Sequence, residues 1–126
     1  MDQLNKQNSL THFIVGASRG IGRSLVDQSI QHGHNVTALA RTPPTEPITG
    51  CNWITGDATA PEAFLDQLPE KINALTFCPG KVILGPIKRL KSEQMLEAYQ
   101  TSVLDAFTLI QALLPRLEGS VVFISS

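Results

Sequence analysis

Seven residues near the amino end, Gly16-Ala-Ser-Arg-Gly20-Ile-Gly22, combine small size with regular glycine spacing. Such a segment can do one kind of chemistry well, which is to hold a diphosphate against the backbone. A glycine at a strand end permits a sharp turn. A second lets a pyrophosphate come close to the main chain, and a third lets the following helix pack on the strand. The helix start then offers free N–H groups and the positive end of its dipole. The plainer alternative is a tight turn with no ligand. A strand before the turn and a helix after it favour phosphate.

The elements that would position this turn can be read from the apolar pattern. Thr11-His-Phe-Ile-Val-Gly16 is a short apolar run ending at glycine, the pattern of a buried strand. Ile21, Leu25, Val26, Ser29 and Ile30 share one helical face, and Gly33 stands where a helix C-terminus favours glycine. Asn35–Ala40 and Cys51–Thr55 read as the next two strands. Arg41 to Gly50 holds Pro43, Pro44 and Pro47, so it must cross as an extended loop. Pro61 opens a helical pattern through Ala63, Phe64, Leu65 and Leu68, which stops near Pro69. Ile72–Phe77 is a fourth strand.

Ser92 reads as the N-cap of a long helix. Its stripe is Leu96, Tyr99, Val103, Ala106, Ile110, Leu113 and Leu117. A second apolar set, Leu104, Phe107 and Leu114, predicts burial on more than one side, and Pro115 loosens the last turn. Ser120–Ser126 is a fifth strand. Strands alternating with helices imply a parallel sheet of right-handed βαβ units.

Composition narrows the class. In 126 residues, 42% are apolar and 17% charged, which suits one globular domain and not a disordered chain. Ten basic against eleven acidic residues give a net charge of −1, so nucleic acid and anionic membrane surfaces are not expected partners. No apolar run approaches the roughly 18 residues of a membrane helix. Residues 1–10 are polar and lack the apolar core of a secretory signal. Cys51 and Cys78 make neither a disulfide framework nor a zinc site, and no metal is expected. The expectation is a soluble cytoplasmic protein.

GASRGIG, with its GxxxGxG spacing, resembles the cofactor turn of the short-chain dehydrogenase/reductase family. The resemblance runs from Thr11 to Ser126. Gly56-Asp57-Ala58 is similar to the family's segment that touches the adenine. Cys78-Pro79-Gly80 stands where the family has Asn-Ala-Gly. Leu113-Leu-Pro-Arg-Leu117 and, after Glu118, Gly119-Ser-Val-Val-Phe-Ile-Ser-Ser126 resemble the long helix and the strand that ends in the catalytic serine.

The resemblance implies a Rossmann-type doubly wound sheet, order 3-2-1-4-5, over 11–126, with residues 1–10 as a polar arm. It implies cofactor contacts at Gly16, Ser18, Arg19, Gly20, Ile21, Gly22, Arg41, Asp57, Ala58, Cys78, Pro79 and Gly80. Asp57 equally suits an Asx turn or a helix cap. The second strand ends Ala40-Arg41 with no carboxylate for a ribose 2′-OH. Arg41 and Arg19 together match a 2′-phosphate, so NADP is expected over NAD. Cys78 cannot make the bonds of the family's Asn, and Gly80 keeps the close backbone approach.

Family members reduce carbonyls or oxidise alcohols with Ser, Tyr and Lys, the Lys lowering the Tyr pKa. Ser126 falls on the serine position, and Ser102 on that of an auxiliary Asn. The Tyr-x-x-x-Lys motif is missing from these 126 residues. Tyr99, the sole tyrosine, is followed four residues later by Val103 and reads as a packing residue. The expectation is therefore the amino-terminal half of an NADP-dependent oxidoreductase acting on a small carbonyl or alcohol, inactive alone, with a homo-oligomeric full-length form. The fifth strand would be an exposed edge, and one face of the long helix bare. The competing reading is a non-catalytic NADP-binding or protein-interaction module, which Cys78-Pro79 and Ser102 favour.

Overall fold

Alternation of side chains along a buried strand divides this molecule into two apolar layers. On the first strand, β1 (Thr11–Val15), Phe13 and Val15 point to one face of the sheet and Ile14 to the other. The computed structural model describes residues 9–80 and 82–125. Five strands form one sheet: β1, β2 (Asn35–Ala40), β3 (Cys51–Thr55), β4 (Ile72–Phe77) and β5 (Leu117–Phe123). Their order is β3-β2-β1-β4-β5, and every pairing is parallel. Helix α1 (Gly20–Gln31) packs Val26 against Ile14, Val36 and Ala38 on one face. On the other face Ala106, Leu109 and Leu113 of α3 (Asp105–Leu113) join Phe13, Val15, Leu75 and Phe77. The doubly wound sheet expected from the sequence is therefore present.

Several boundaries differ from the sequence reading, each for a local reason. The pattern at 61–68 is not an α-helix but two 3₁₀ turns, Pro61–Ala63 and Leu65–Gln67. Seven residues between Pro61 and Pro69 leave too little length for an α-helix to repay its nucleation. The long helix starts at Ser92, with Lys91 as the capping position. The Lys91 N–H donates to Gln94 Oε1 at 2.9 Å, so Ser92 is the first helical residue and not the cap. That helix is also interrupted. Ser92–Tyr99 is α2, Gln100–Leu104 is a π turn, and α3 follows.

The predicted stripe is only partly a packing face. Ala106, Leu109 and Leu113 are buried, whereas Tyr99 is 53% exposed and α2 buries no residue. Leu104, Phe107 and Leu114 are exposed too, so burial on a second side is not found. Pro115 does end the helix, in a 3₁₀ turn over Leu114–Arg116. Strand β5 starts at Leu117, three residues before the expected Ser120. Its register with β4 slips between Ile72 and Ala74, and a Cβ on Gly119 would lie 1.9 Å from the Asn73 carbonyl oxygen. Glycine is what lets β5 pass this bulge.

Of the polar arm, residues 1–8 lie outside the described residues. Ser9 and Leu10 are tied down: Ser9 Oγ donates to the Gly33 carbonyl at 3.0 Å, and the Leu10 N–H donates to His34 Nδ1 at 3.0 Å. The proline loop crosses from β2 to β3 without a helix, pinned where Trp53 Nε1 donates to the Thr42 carbonyl at 3.2 Å.

Candidate active site: a cleft at the carboxyl ends of the strands

The strand ends are held level by backbone hydrogen bonds. The Gly16 N–H donates to the Leu39 carbonyl at 2.9 Å, Cys78 N–H to Val15 at 3.0 Å, and Ile124 N–H to Phe77 at 3.0 Å. The chain therefore leaves β1, β4 and β5 along one rim, where ligands of open α/β sheets bind. A cleft of about 1110 Å³ opens on that rim. Every residue expected to contact cofactor lines it except Gly20, which lies beside it in the turn.

Three glycines shape the turn for different reasons. Gly16 has φ +82°, and a Cβ there would come within 2.9 Å of the Pro79 ring. Gly20 has φ +64° with open space where a Cβ would go. A Cβ on Gly22 would lie 2.1 Å from the Gly16 carbonyl oxygen. The contact between Gly22 and Gly16 seats α1 directly on the end of β1. Arg19 occupies the N-cap in extended conformation, no side chain bonds to the cap, and no acidic residue sits in the first turn. The helix start therefore faces the cleft unscreened by its own side chains.

Charge is distributed unevenly along the cleft. Arg19 and Arg41 stand at the glycine turn and the end of β2, and Asp57 after β3. Asp57 Oδ1 accepts from the Thr59 N–H at 2.9 Å and from the Thr59 hydroxyl at 2.8 Å. Those bonds, with a smaller contribution from Arg41, hold its carboxyl below the usual aspartate range. The Asx-turn role foreseen for Asp57 is thus filled, and its place on the wall is compatible with a second contact. Cys78 and Pro79 line the wall after β4. Burial pushes the Cys78 thiol up, so it is a neutral thiol at pH 7.

Ser102 lies beside Gly80, its Oγ 3.8 Å from where a Gly80 Cβ would be. Its neighbours Thr101 and Asp105, and not Ser102 itself, form the cleft wall. Sequence reasoning missed both. Asp105 was detectable as the single charge inside Val103-Leu-Asp-Ala-Phe107; Thr101 is a lone small hydroxyl residue beside Ser102 and carried no signal. Ser126 lies outside the described residues.

The chain matches the short chain dehydrogenase family over residues 11–126. It belongs to that family. Among solved structures, a carbonyl reductase of Pseudomonas aeruginosa PAO1 is 32% identical, with a TM-score of 0.80 over 93% of this chain and 59% of its own. A short-chain dehydrogenase/reductase of Burkholderia multivorans with bound NADP is 19% identical, with a TM-score of 0.79 over 94% of this chain and 59% of its own. One from Leptospira borgpetersenii with bound NAD+ is 24% identical, with a TM-score of 0.67 over 82% of this chain and 44% of its own. The last two are alike in fold alone. The chain spans about half the length of such structures. No curated protein matches it. Among the described residues no helix is long and apolar enough to cross a membrane.

Proposed function

We propose that this short-chain dehydrogenase domain binds NADP and serves hydride transfer between the nicotinamide and a small carbonyl or alcohol. The observation that carries the reading is the cleft itself, which joins Arg41, the glycine turn and Cys78-Pro79-Gly80 on one rim. Arg41 and Arg19 would hold the 2′-phosphate, since a guanidinium pairs with phosphate through parallel N–H bonds. The Gly16–Gly22 backbone and the head of α1 would hold the diphosphate. Asp57 and Ala58 would flank the adenine. Cys78, Pro79 and Gly80 would meet the nicotinamide ribose through the backbone. When bound, the nicotinamide supplies the hydride. The 32% identity to a carbonyl reductase supports carbonyl reduction as the direction.

Ser126 would orient the substrate oxygen. Tyr-x-x-x-Lys does not occur in the 126 residues, so this chain alone is expected to bind NADPH without turnover. Calorimetric titration with NADPH and NADH tests the cofactor assignment. Arg41→Ala should weaken NADPH about tenfold, the worth of a lost charge-assisted pair, and leave NADH unchanged. Tighter binding of NADH, or an Arg41→Ala variant that holds NADPH as well as before, overturns it. Cys78-Pro79 and Ser102 favour a second reading, a domain that holds NADP without chemistry. In a protein carrying Tyr-x-x-x-Lys downstream, ketone-dependent NADPH oxidation would reject that second reading.

A further inference from the structure

We propose that Asp105 makes this cleft discriminate between the two redox states of its cofactor, holding the oxidised dinucleotide more tightly than the reduced one. The inference rests on the nicotinamide dinucleotide reading above and adds a residue to it.

The placement of Asp105 is built into the fold. After Tyr99 the helix widens into the π turn of Gln100–Leu104, and the Asp105 N–H bonds the Gln100 carbonyl. The side chains close the same ring, with Gln100 Nε2 donating to Asp105 Oδ1 at 2.8 Å. The turn is thus fastened twice at its two ends. Insertions of this kind often sit at functional sites, because they rotate one or two side chains out of helical register. Thr101, within the turn, and Asp105, at its end, both line the cleft.

The charges of the cleft are segregated. Arg19, Arg41 and Asp57 belong to the glycine turn and to the β2–β3 half. Among the described residues that line the β4–β5 half, Asp105 is the only charged one. A dinucleotide held with its 2′-phosphate at Arg41 and its diphosphate at the glycine turn would direct its other end toward that half. Phosphates, riboses and adenine carry the same charge in both redox forms. The nicotinamide ring does not: it is cationic when oxidised and neutral when reduced. A carboxylate on that side would attract only the oxidised ring, while its repulsion of the phosphates is equal in both forms and cancels in their ratio. Across a solvated gap of several ångströms such an interaction is worth about threefold in affinity, and it weakens with added salt.

Tighter binding of the oxidised form has a chemical consequence by linkage. It makes the bound reduced form a stronger hydride donor than the free one, which suits carbonyl reduction.

The experiment is calorimetric titration of the 126-residue chain with NADP+ and with NADPH at low and high salt. The expected result is a preference for NADP+ that shrinks as salt rises. Asp105→Asn should cut the ratio of NADP+ to NADPH affinity about threefold. Gln100→Ala frees the turn but keeps the carboxylate, so it should keep the preference. An unchanged ratio in Asp105→Asn, an equal shift in Gln100→Ala, or a wild-type ratio indifferent to salt overturns the role of Asp105 while leaving nucleotide binding standing. Failure of both nucleotides to bind overturns the underlying reading with it.

Discussion

The contact between Gly22 and the Gly16 carbonyl is the narrowest point of the site. No side chain fits there, because the obstructing atom is backbone and cannot swing away. Gly22→Ala must push α1 off the end of β1, at a cost of about 1–3 kcal/mol for a methyl forced into packed surroundings. It should also misplace the helix start and abolish NADPH binding. Urea unfolding and nucleotide titration measure the two effects separately. Full binding in a stably folded Gly22→Ala variant would show that the phosphates do not sit at this turn. At the same scale, most of the cleft was legible in the sequence. GASRGIG, Arg41, Asp57 and Cys78-Pro79-Gly80 are small or charged residues at strand ends, and strand ends are what apolar runs mark best. Thr101 gave no signal and the lone charge of Asp105 was overlooked, because apolar spacing reports which residues face the core and not which polar neighbours line a cleft.

Among the elements, β1 is joined to α1 and β4 by more than apolar contact. His12 Nδ1 lies 2.9 Å from Ser29 Oγ on α1, and its Nε2 lies 2.8 Å from Thr76 Oγ1 on β4. Both hydroxyls are buried. A neutral imidazole satisfies the pair by donating from one nitrogen and accepting at the other. Burial, and to a smaller degree the neighbouring His34, lowers the His12 pKa from its ordinary 6.5. The sign follows from linkage. Above pH 6.5 His12 is neutral folded and unfolded, and its contribution is complete. As pH falls below 6.5 the unfolded chain takes up the proton first, so stability drops until the folded pKa is passed. The expected slope from this group is at most about 1.4 kcal/mol per pH unit. His12→Gln, which can still bridge two hydroxyls, should show a flatter stability curve between pH 7.5 and pH 5 by urea unfolding. Parallel curves for the two proteins would remove His12 from the explanation. This tie was invisible in the sequence, since a lone histidine in an apolar strand says nothing about which hydroxyls it will meet. The 3₁₀ turns at 61–67 and the early start of β5 were missed for a related reason. Apolar spacing reports which residues face the core, and over eight residues it separates a helix poorly from two tight turns.

For the molecule as a whole, the two flanks of the sheet are unequal. β1, β2 and β4 are largely buried, whereas β5 closes the order β3-β2-β1-β4-β5 as an edge with Val122 and Phe123 about half exposed. Parallel sheets are normally covered on both faces, and a flat apolar edge strand invites another chain. The helical side adds Leu96, Phe107 and Leu114, each more than half exposed. Exposed apolar surface of this extent is the kind that pairs with another chain. We therefore expect the 126-residue chain to self-associate through these residues, none of which belongs to the glycine turn. Sedimentation velocity over a concentration series should show weight-average mass rising above 13.7 kDa. A double substitution, Phe107→Lys with Val122→Lys, places charge on both the helix and the edge and should return the chain to monomer. Because neither residue lines the cleft, NADPH affinity should survive the change. A wild-type chain that stays monomeric at high concentration would mean these side chains are only solvated apolar surface. Loss of nucleotide binding together with association would mean instead that one copy completes the cleft of the other.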